Sequence, residues 1–167
     1  MALADTDSSR LLISIVLILF TLLERKEKGT TCAFIDSFPR AHGRRTGFPR
    51  KIGLYTSPHL LYLEERIWIN FEPLPRDVFT RYFFEVYDVL LEYNTQCFYT
   101  MPRYLQLLLL LSFHTFIREG IDTAIYETHH RGEYDSTNVI EKPIVTAITP
   151  LGMDHVKQLG LSIQNIA

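Results

Sequence analysis

The segment Lys28-Gly29-Thr30 holds the residue types that end a phosphate-binding loop. In such loops a lysine reaches the outer phosphates of a nucleotide, and a hydroxyl side chain binds Mg²⁺. If a helix begins at this point, its first backbone N–H groups favour an anion. However, a threonine before a helix is also an ordinary N-capping residue that binds no ligand. The segment alone therefore leaves both interpretations open.

Further polar residues that could serve the same chemistry follow apolar segments. Ser57 lies in the turn Thr56-Ser57-Pro58-His59, Glu127 follows one apolar run, and His155 follows another. A carboxylate at a strand end suits Mg²⁺, a hard cation that prefers oxygen ligands. The alternatives are a solvated loop carboxylate at Glu127 and an exposed histidine beside a helix-capping Asp154.

A metal site built from two adjacent histidines and a zinc site built from cysteines are not indicated. His129 and His130 are adjacent, so their side chains would point to opposite faces of a strand. Cys32 and Cys97 lie far apart without a CxxC spacing, which argues against both a zinc site and a disulfide scaffold. This cysteine usage is typical of a reducing compartment.

The composition indicates a folded protein with no electrostatic preference for nucleic acid. At 167 residues the chain is long enough for one domain with a core, and its 47% hydrophobic and 22% charged residues are typical of globular proteins. Its formal net charge is −2, so no basic field would attract nucleic acid. Nucleic acid is therefore not an expected partner.

Four short segments are predicted to be the strands that position these residues. Segments 52–55 and 65–70 are extended, the latter with alternating apolar residues, and 123–126 and 144–148 are continuous apolar runs. Continuous runs of this length are typical of parallel strands that are covered on both faces. The expected fold class is therefore α/β, with a partial parallel sheet flanked by helices.

Three helices are predicted between the strands. The first follows the lysine loop, and we expect Pro39 and Gly43 to bend and end it. The second spans 75–93, where apolar residues recur every three or four positions. The third runs from Pro102 to Glu119 with Gly120 as its stop, and its apolar content on all sides predicts that it is buried.

Ligands of open α/β sheets bind outside the carboxyl ends of the strands. The loops predicted to reach that edge are 24–31, 56–59, 127–138 and 149–155. They contain all the candidate residues named above. We therefore expect these loops to meet in one site.

The N-terminal run 11–23 carries no charge until Glu24. It is shorter than the roughly 20 residues of a typical spanning helix, and it lacks a small-residue secretory cleavage site. The favoured interpretation is a strand or helix buried in the fold. A membrane contact or targeting segment and a gene-model artefact are the alternatives.

From Thr31 to Ala167 the order of motifs resembles the folylpolyglutamate synthases of the Mur ligase superfamily, the fungal forms in particular. The motifs are Thr31-Cys32-Ala33-Phe34, Gly53 to Leu60, Glu65-Arg66-Ile67 with Ile69-Asn70, Phe79 to Asp88, Ser112-Phe113-His114, Tyr134 to Pro143, and Leu151-Gly152-Met153-Asp154-His155. The resemblance implies the N-terminal part of a Mur-ligase-type P-loop ATPase domain. On this basis 1–24 is a divergent apolar leader and 25–167 an incomplete ATP-binding domain.

The resemblance also implies an activity and its cofactors, ATP and Mg²⁺. Such enzymes use ATP to phosphorylate the γ-carboxyl of a folate, and the amine of glutamate then attacks the acyl phosphate. Folate and glutamate are thus the implied small-molecule partners, in one-carbon metabolism. The implied compartment is cytoplasmic, with a mitochondrial location as the alternative, and no oligomeric state is indicated.

The residue roles that the resemblance implies fall into two groups. Lys28, Gly29, Thr30 and Thr31 would bind the nucleotide, and Thr30, Ser57, Glu127 and His155 would bind metal. No residue is assigned a directly catalytic role.

Several positions depart from the family pattern. Glu24 and Glu27 replace two glycines of the phosphate loop, which adds backbone strain and negative charge beside an anionic ligand. His129 and Arg131 also stand where the family has glycines, and Leu109 replaces a threonine. The sequence ends before the family's metal-bridging lysine and second domain. The alternative function is therefore a non-catalytic remnant with weak or no nucleotide binding.

Overall fold

The computed structural model describes residues 14–19, 27–97, 100–129 and 135–148. Its elements, in chain order, are β1 (Ser14–Leu19), α1 (Glu27–Thr46), β2 (Ile52–Tyr55), β3 (Ile67–Ile69), β4 (Glu72–Pro73), α2 (Arg76–Cys97), α3 (Tyr104–Glu119), β5 (Thr123–Glu127) and β6 (Val145–Ile148). Single 3-10 turns at Leu63–Arg66 and Ser136–Val139 precede β3 and β6. The predicted α/β class is confirmed.

The strands form one six-stranded sheet in the order β4-β3-β2-β5-β1-β6. Strands β2, β5, β1 and β6 run parallel, and β3 and β4 add an antiparallel edge. The chain between β2 and β3 contains no crossover helix, so β3 returns antiparallel beside β2. The sheet is therefore mixed, with its parallel part on the side that positions the predicted site loops.

The apolar run near the N-terminus provides β1. Residues 14–19 pair in parallel with both β5 and β6, with Ser14 beside Thr123 and Val16 beside Val145. The strand interpretation of this run is confirmed for these residues, although they fall in the segment predicted as a divergent leader. The boundary between leader and domain stays a prediction. Among the described residues, no helix has the length and apolarity needed to cross a membrane.

The core lies on both faces of the sheet because neighbouring residues of a strand point to opposite sides. Leu54 and Ile125 pack with Cys32 under α1. Tyr55 and Tyr126, the next residues along β2 and β5, belong to the larger cluster under α2 and α3. The predicted helical stripe of α2 supplies Phe79 and Tyr82 to that cluster, alongside Leu108, Leu111 and Phe116 of α3.

A glycine in β2 permits close packing of α3. A Cβ atom at Gly53 would lie 2.6 Å from the Phe116 ring, well inside contact distance. Phe116 is almost completely buried against this position and also contacts the Tyr126 ring. Gly53 therefore has a packing role here, on the same strand that leads to Ser57.

The predicted end of α1 is wrong. The helix passes through Pro39 and Gly43 and ends at Thr46, where Gly47 adopts a left-handed φ of 85° and its N–H donates to the Gly43 carbonyl. Gly43 instead lets the helix approach the Pro49 carbonyl so closely that a Cβ atom would clash. Tertiary packing explains this glycine, and the left-handed Gly47 ends the helix.

Helix α3 ends as predicted, but it is not buried on all sides. Gly120 caps it with a φ of 65° and donates to the Ile117 carbonyl. Tyr104, Leu110 and Ile117 are exposed, so the prediction that the helix is buried holds for its inner face and is wrong for its outer face. Val145 of β6 is also exposed, since β6 lies at an edge of the sheet rather than at its covered centre.

Candidate functional site

The carboxyl ends of β2 and β5 meet the first turn of α1 at a cleft of about 750 Å³. Gly29 and Thr30 of α1 line it together with Ser57 after β2 and Glu127 at the end of β5. Leu54, Trp68 and Phe71 are among the residues that form an apolar wall. The structure thus brings together candidate residues that are far apart in the chain, at the edge expected for ligands of an α/β sheet.

Lys28 points from the first turn of α1 toward the end of β5. Its ammonium donates to the carbonyl of His129 at 2.9 Å and lies 3.5 Å from that of Thr128. The same nitrogen is 3.8 Å from Oε1 of Glu127. Because only 7% of the residue is exposed, these contacts place the positive charge inside the protein at the edge of the cleft.

Glu127 lies at the end of β5 but is buried, so the alternative of a solvated loop carboxylate is wrong. Only 2% of the residue is exposed, and its Oε2 accepts the Ser57 backbone N–H at 3.2 Å. Burial raises the pKa of its carboxyl from 4.5 to about 7, although Lys28, the Ser57 N–H and Arg66 oppose this shift. Desolvation disfavours the carboxylate, and a further cation in the cleft would favour it.

The first turn of α1 leaves room for a ligand. Gly29 and Thr30 are exposed, and Thr31 is partly buried. A Cβ atom at Gly29 would meet no atom within 4 Å. Glu27 begins the helix, so the second half of the predicted loop 24–31 is helical and its early N–H groups lie where a helix favours anions.

Arg66 is a part of the site that the sequence did not predict. The residue is 5% exposed, and its guanidinium donates to Oγ of Ser57 at 3.0 Å and to Nδ1 of His59 at 3.2 Å. The sequence could have indicated Arg66 through its place in the motif Glu65-Arg66-Ile67. The spacing of residues along the chain does not indicate a contact with Ser57. The contact arises because β3 folds back beside β2.

His129 is the second group that the sequence did not predict. It is 3% exposed, with its Nε2 2.7 Å from the Tyr55 hydroxyl and its Nδ1 3.2 Å from Asp135. Its position next to His130 argued against a two-histidine metal site, and the sequence predicted no other role for His129. Its ring instead links the end of β2 to the chain that follows β5.

The described part of the site fits Mg²⁺ by its chemistry. Thr30, Ser57 and Glu127 offer oxygen atoms around one cleft. Within the described ranges no group of three His, Cys, Asp or Glu residues could hold a metal by itself. A single carboxylate with hydroxyls suits Mg²⁺, which commonly keeps waters and phosphate oxygens as further ligands. His155, predicted as the fourth ligand, lies outside the described residues, as does Glu24.

Known proteins with similar sequence and structure were found, although no family model matches the chain. Folylpolyglutamate synthase of Neurospora crassa is 48% identical over 146 residues, which cover 85% of this chain and 28% of the relative. The mitochondrial folylpolyglutamate synthase of Cricetulus griseus is 41% identical over 142 residues, covering 85% and 23%. This chain therefore spans about a quarter of the length of these curated relatives.

A solved structure has the same arrangement of elements. A folylpolyglutamate synthase in complex with AMPPCP and folate superposes with a TM-score of 0.80 at 28% sequence identity. The match covers 99% of this chain and 41% of that one. The fold around the cleft is thus similar to that of a protein that was solved with an ATP analogue and a folate.

Proposed function

Since this chain belongs to the folylpolyglutamate synthase family, we propose that it supplies part of the ATP-binding region of a ligase that adds glutamate to the γ-carboxyl of a folate. The observation that carries this proposal is the convergence of Thr30, Ser57 and Glu127 on one cleft, with the Lys28 ammonium beside Glu127. Three separate segments provide these groups. Their chemistry matches the residue types that phosphoryl transfer from ATP requires.

In this proposal the first turn of α1 binds the nucleotide phosphates. Lys28 supplies positive charge, Gly29 leaves the backbone accessible, and Thr30 and Thr31 add hydroxyl groups at a helix N-terminus. Lys28 has a flexible stem, so its ammonium can leave the His129 carbonyl for a phosphate oxygen.

Thr30, Ser57 and Glu127 would hold Mg²⁺, with His155 as a further ligand. When bound, this ion neutralises negative charge on the transferring phosphate. Glu127 contributes a carboxylate whose ionised form a cation stabilises. Arg66 orients the Ser57 hydroxyl and adds a second positive charge near Glu127.

The folate carboxyl would reach the phosphates from the apolar side of the cleft. Trp68 and Phe71, whose ring centroids are 5.5 Å apart and whose planes are tilted by 35°, offer an apolar aromatic surface there. Glutamate would be bound by parts of the enzyme that lie outside the roughly one quarter of its relatives' length that this chain spans. The reaction would belong to one-carbon metabolism. Its proposed compartment is the cytoplasm, or the mitochondrion as for the relative from Cricetulus griseus.

The test is calorimetric titration of the chain with ATP, with and without Mg²⁺. We expect Mg²⁺ to strengthen ATP binding, and Ser57→Ala to remove most of that gain because a hydroxyl beside the carboxylate is lost. Thr95→Ala, which removes an exposed hydroxyl from α2, is the matched control and should behave as wild type. Equal ATP affinity with and without Mg²⁺ in the wild type would contradict the proposal.

A further inference from the structure

We propose that His129 is a positioning residue for Lys28: Tyr55 and Asp135 clamp its side chain, so that its backbone carbonyl holds the Lys28 ammonium beside Glu127. This inference rests on the proposed function, in which Lys28 serves the nucleotide phosphates. The family resemblance places a glycine at this position, which could form no side-chain clamp. The clamp is thus a feature of this chain's own residues.

The side-chain contacts of His129 come from two directions. Nε2 lies 2.7 Å from the Tyr55 hydroxyl, and Nδ1 lies 3.2 Å from Oδ1 of Asp135. The backbone N–H of His129 donates to Oδ2 of the same Asp135 at 2.9 Å. Asp135 is itself held by the N–H and hydroxyl of Thr137. Ring and backbone of His129 are therefore fixed together.

Each ring nitrogen of His129 faces a partner that can hold it. Hydrogen bonds from His129 and Thr137 outweigh burial and hold the pKa of the Asp135 carboxyl well below its usual value, so Asp135 is an acceptor. Nδ1 must then carry a hydrogen and donate it to Oδ1 of Asp135. Burial raises the pKa of the Tyr55 hydroxyl, which therefore keeps its proton and can donate to Nε2 or accept from it. The ring is thus held by a hydrogen bond on each side.

The clamped residue in turn determines where Lys28 finds an acceptor. The His129 carbonyl accepts from the Lys28 ammonium at 2.9 Å, within 3.8 Å of Glu127. A lysine side chain has a flexible four-carbon stem and a compact charge, so the position of its ammonium depends on the acceptors that hold it. A fixed carbonyl at 129 therefore keeps the ammonium next to the cleft before a nucleotide arrives.

The first measurement is the ring ¹⁵N spectrum of His129 in the nucleotide-free protein. We expect Nδ1 to carry a hydrogen that is hydrogen-bonded to Asp135. Tyr55→Phe removes one hydroxyl while keeping the buried ring, and we expect it to shift the Nε2 resonance. A histidine that only fills space has no fixed hydrogen bond at Nδ1 and would not respond in this way. An Nδ1 without a hydrogen in the wild type would overturn the proposal.

The second measurement is the acylation rate of Lys28 by acetic anhydride, followed by peptide mass spectrometry without nucleotide. We expect His129→Gly to raise this rate about tenfold, the equivalent of one buried hydrogen bond. His129→Asn, whose amide can still donate to Asp135, should raise it less. Exposed Lys142 provides the reference within each sample, and His42→Asn on exposed α1 surface is the matched variant.

An unchanged Lys28 rate in a folded His129→Gly protein would overturn the proposal. If circular dichroism shows that this variant does not fold, Tyr55→Phe carries the test, and a rate equal to wild type in that protein has the same meaning. Both measurements are made without nucleotide. If the ring ¹⁵N spectrum and the Lys28 rates are as expected but the protein does not bind Mg-ATP, the proposed function is contradicted and the clamp remains supported.

Discussion

The ammonium of Lys28 lies 3.8 Å from a carboxylate oxygen of Glu127, with 9% of the lysine side chain and 3% of the glutamate side chain exposed. This pair connects the first turn of α1 to the carboxyl end of β5. Each group partly compensates the burial of the other, and removing one partner of a buried pair is more costly than removing both. The pair thus combines a structural role with the charges that the proposed nucleotide site needs.

Glu127→Ala is expected to destabilise the protein by about 1–3 kcal/mol, because the Lys28 ammonium loses its counter-charge and the Ser57 N–H loses its acceptor. Glu127→Gln keeps an acceptor for that N–H and should cost less. Both variants should lose any Mg²⁺-dependent rise in melting temperature with a nucleotide present. Urea denaturation and thermal melts measure these effects. An Ala variant as stable as wild type would show that the pair contributes nothing to stability.

In the metal-free protein, stability should fall as the pH rises from about 4.5 to about 7. Burial raises the pKa of Glu127 to about 7, so across this interval the folded state holds a proton that the unfolded state has lost. Lys28 and Arg66, the cations that face the carboxyl, limit the fall to about 3 kcal/mol at most. Urea denaturation across this range measures it, and Glu127→Gln should lack this contribution. A wild-type slope equal to that of the variant would refute this origin.

Two glycines of α1 should respond to alanine in opposite ways. Gly29→Ala should leave stability unchanged or raise it by about 1 kcal/mol, since the methyl group meets open space within a helix. It should weaken Mg-ATP binding by filling the approach to the backbone. Gly43→Ala should cost about 1–3 kcal/mol through its clash with the Pro49 carbonyl. Gly43→Ala should leave the affinity for Mg-ATP unchanged, as measured on the folded variant. The reverse pattern would place the phosphate site elsewhere.

Replacing Glu24 and Glu27 together by glycine should strengthen Mg-ATP binding about tenfold, because two anionic side chains leave the phosphate loop. Glu27 is the first residue of α1. A negative charge at a helix N-terminus in general favours the helix but opposes an anionic ligand. Calorimetry on both proteins measures the change, with Glu141→Gly as an exposed control. Equal affinities in wild type and double variant would show that these charges do not limit binding.

The 167-residue chain by itself should not add glutamate to tetrahydrofolate. The reaction requires the folate carboxyl, the γ-phosphate and the glutamate amine to be held together, and such positioning supplies about 7–11 kcal/mol of a barrier. In the proposed site, the cleft would receive the first two. The assay is transfer of labelled glutamate with Mg-ATP, with Glu127→Ala as the control for contaminating enzyme. Turnover that disappears in this control would show that the chain is active.

Local patterns in the sequence determined much of the fold. The helical stripe that includes Phe79 and Tyr82 identified α2, Gly120 marked the end of α3, and the apolar run before Glu127 identified β5. These features depend on residues close in the chain, where periodicity and left-handed glycines leave a direct signal. The ordered motifs also indicated the family, which the relatives confirm.

Tertiary structure decided the environment of the candidate residues. The sequence placed Glu127 at a strand end, but its burial depends on Lys28 and Ser57, which arrive from other segments. Arg66 reaches Ser57 only because β3 folds back antiparallel, and His129 has a role only because Tyr55 and Asp135 enclose it. Burial, ion pairs and pKa shifts arise from groups distant in the chain, and no local pattern of residue types encodes such a meeting.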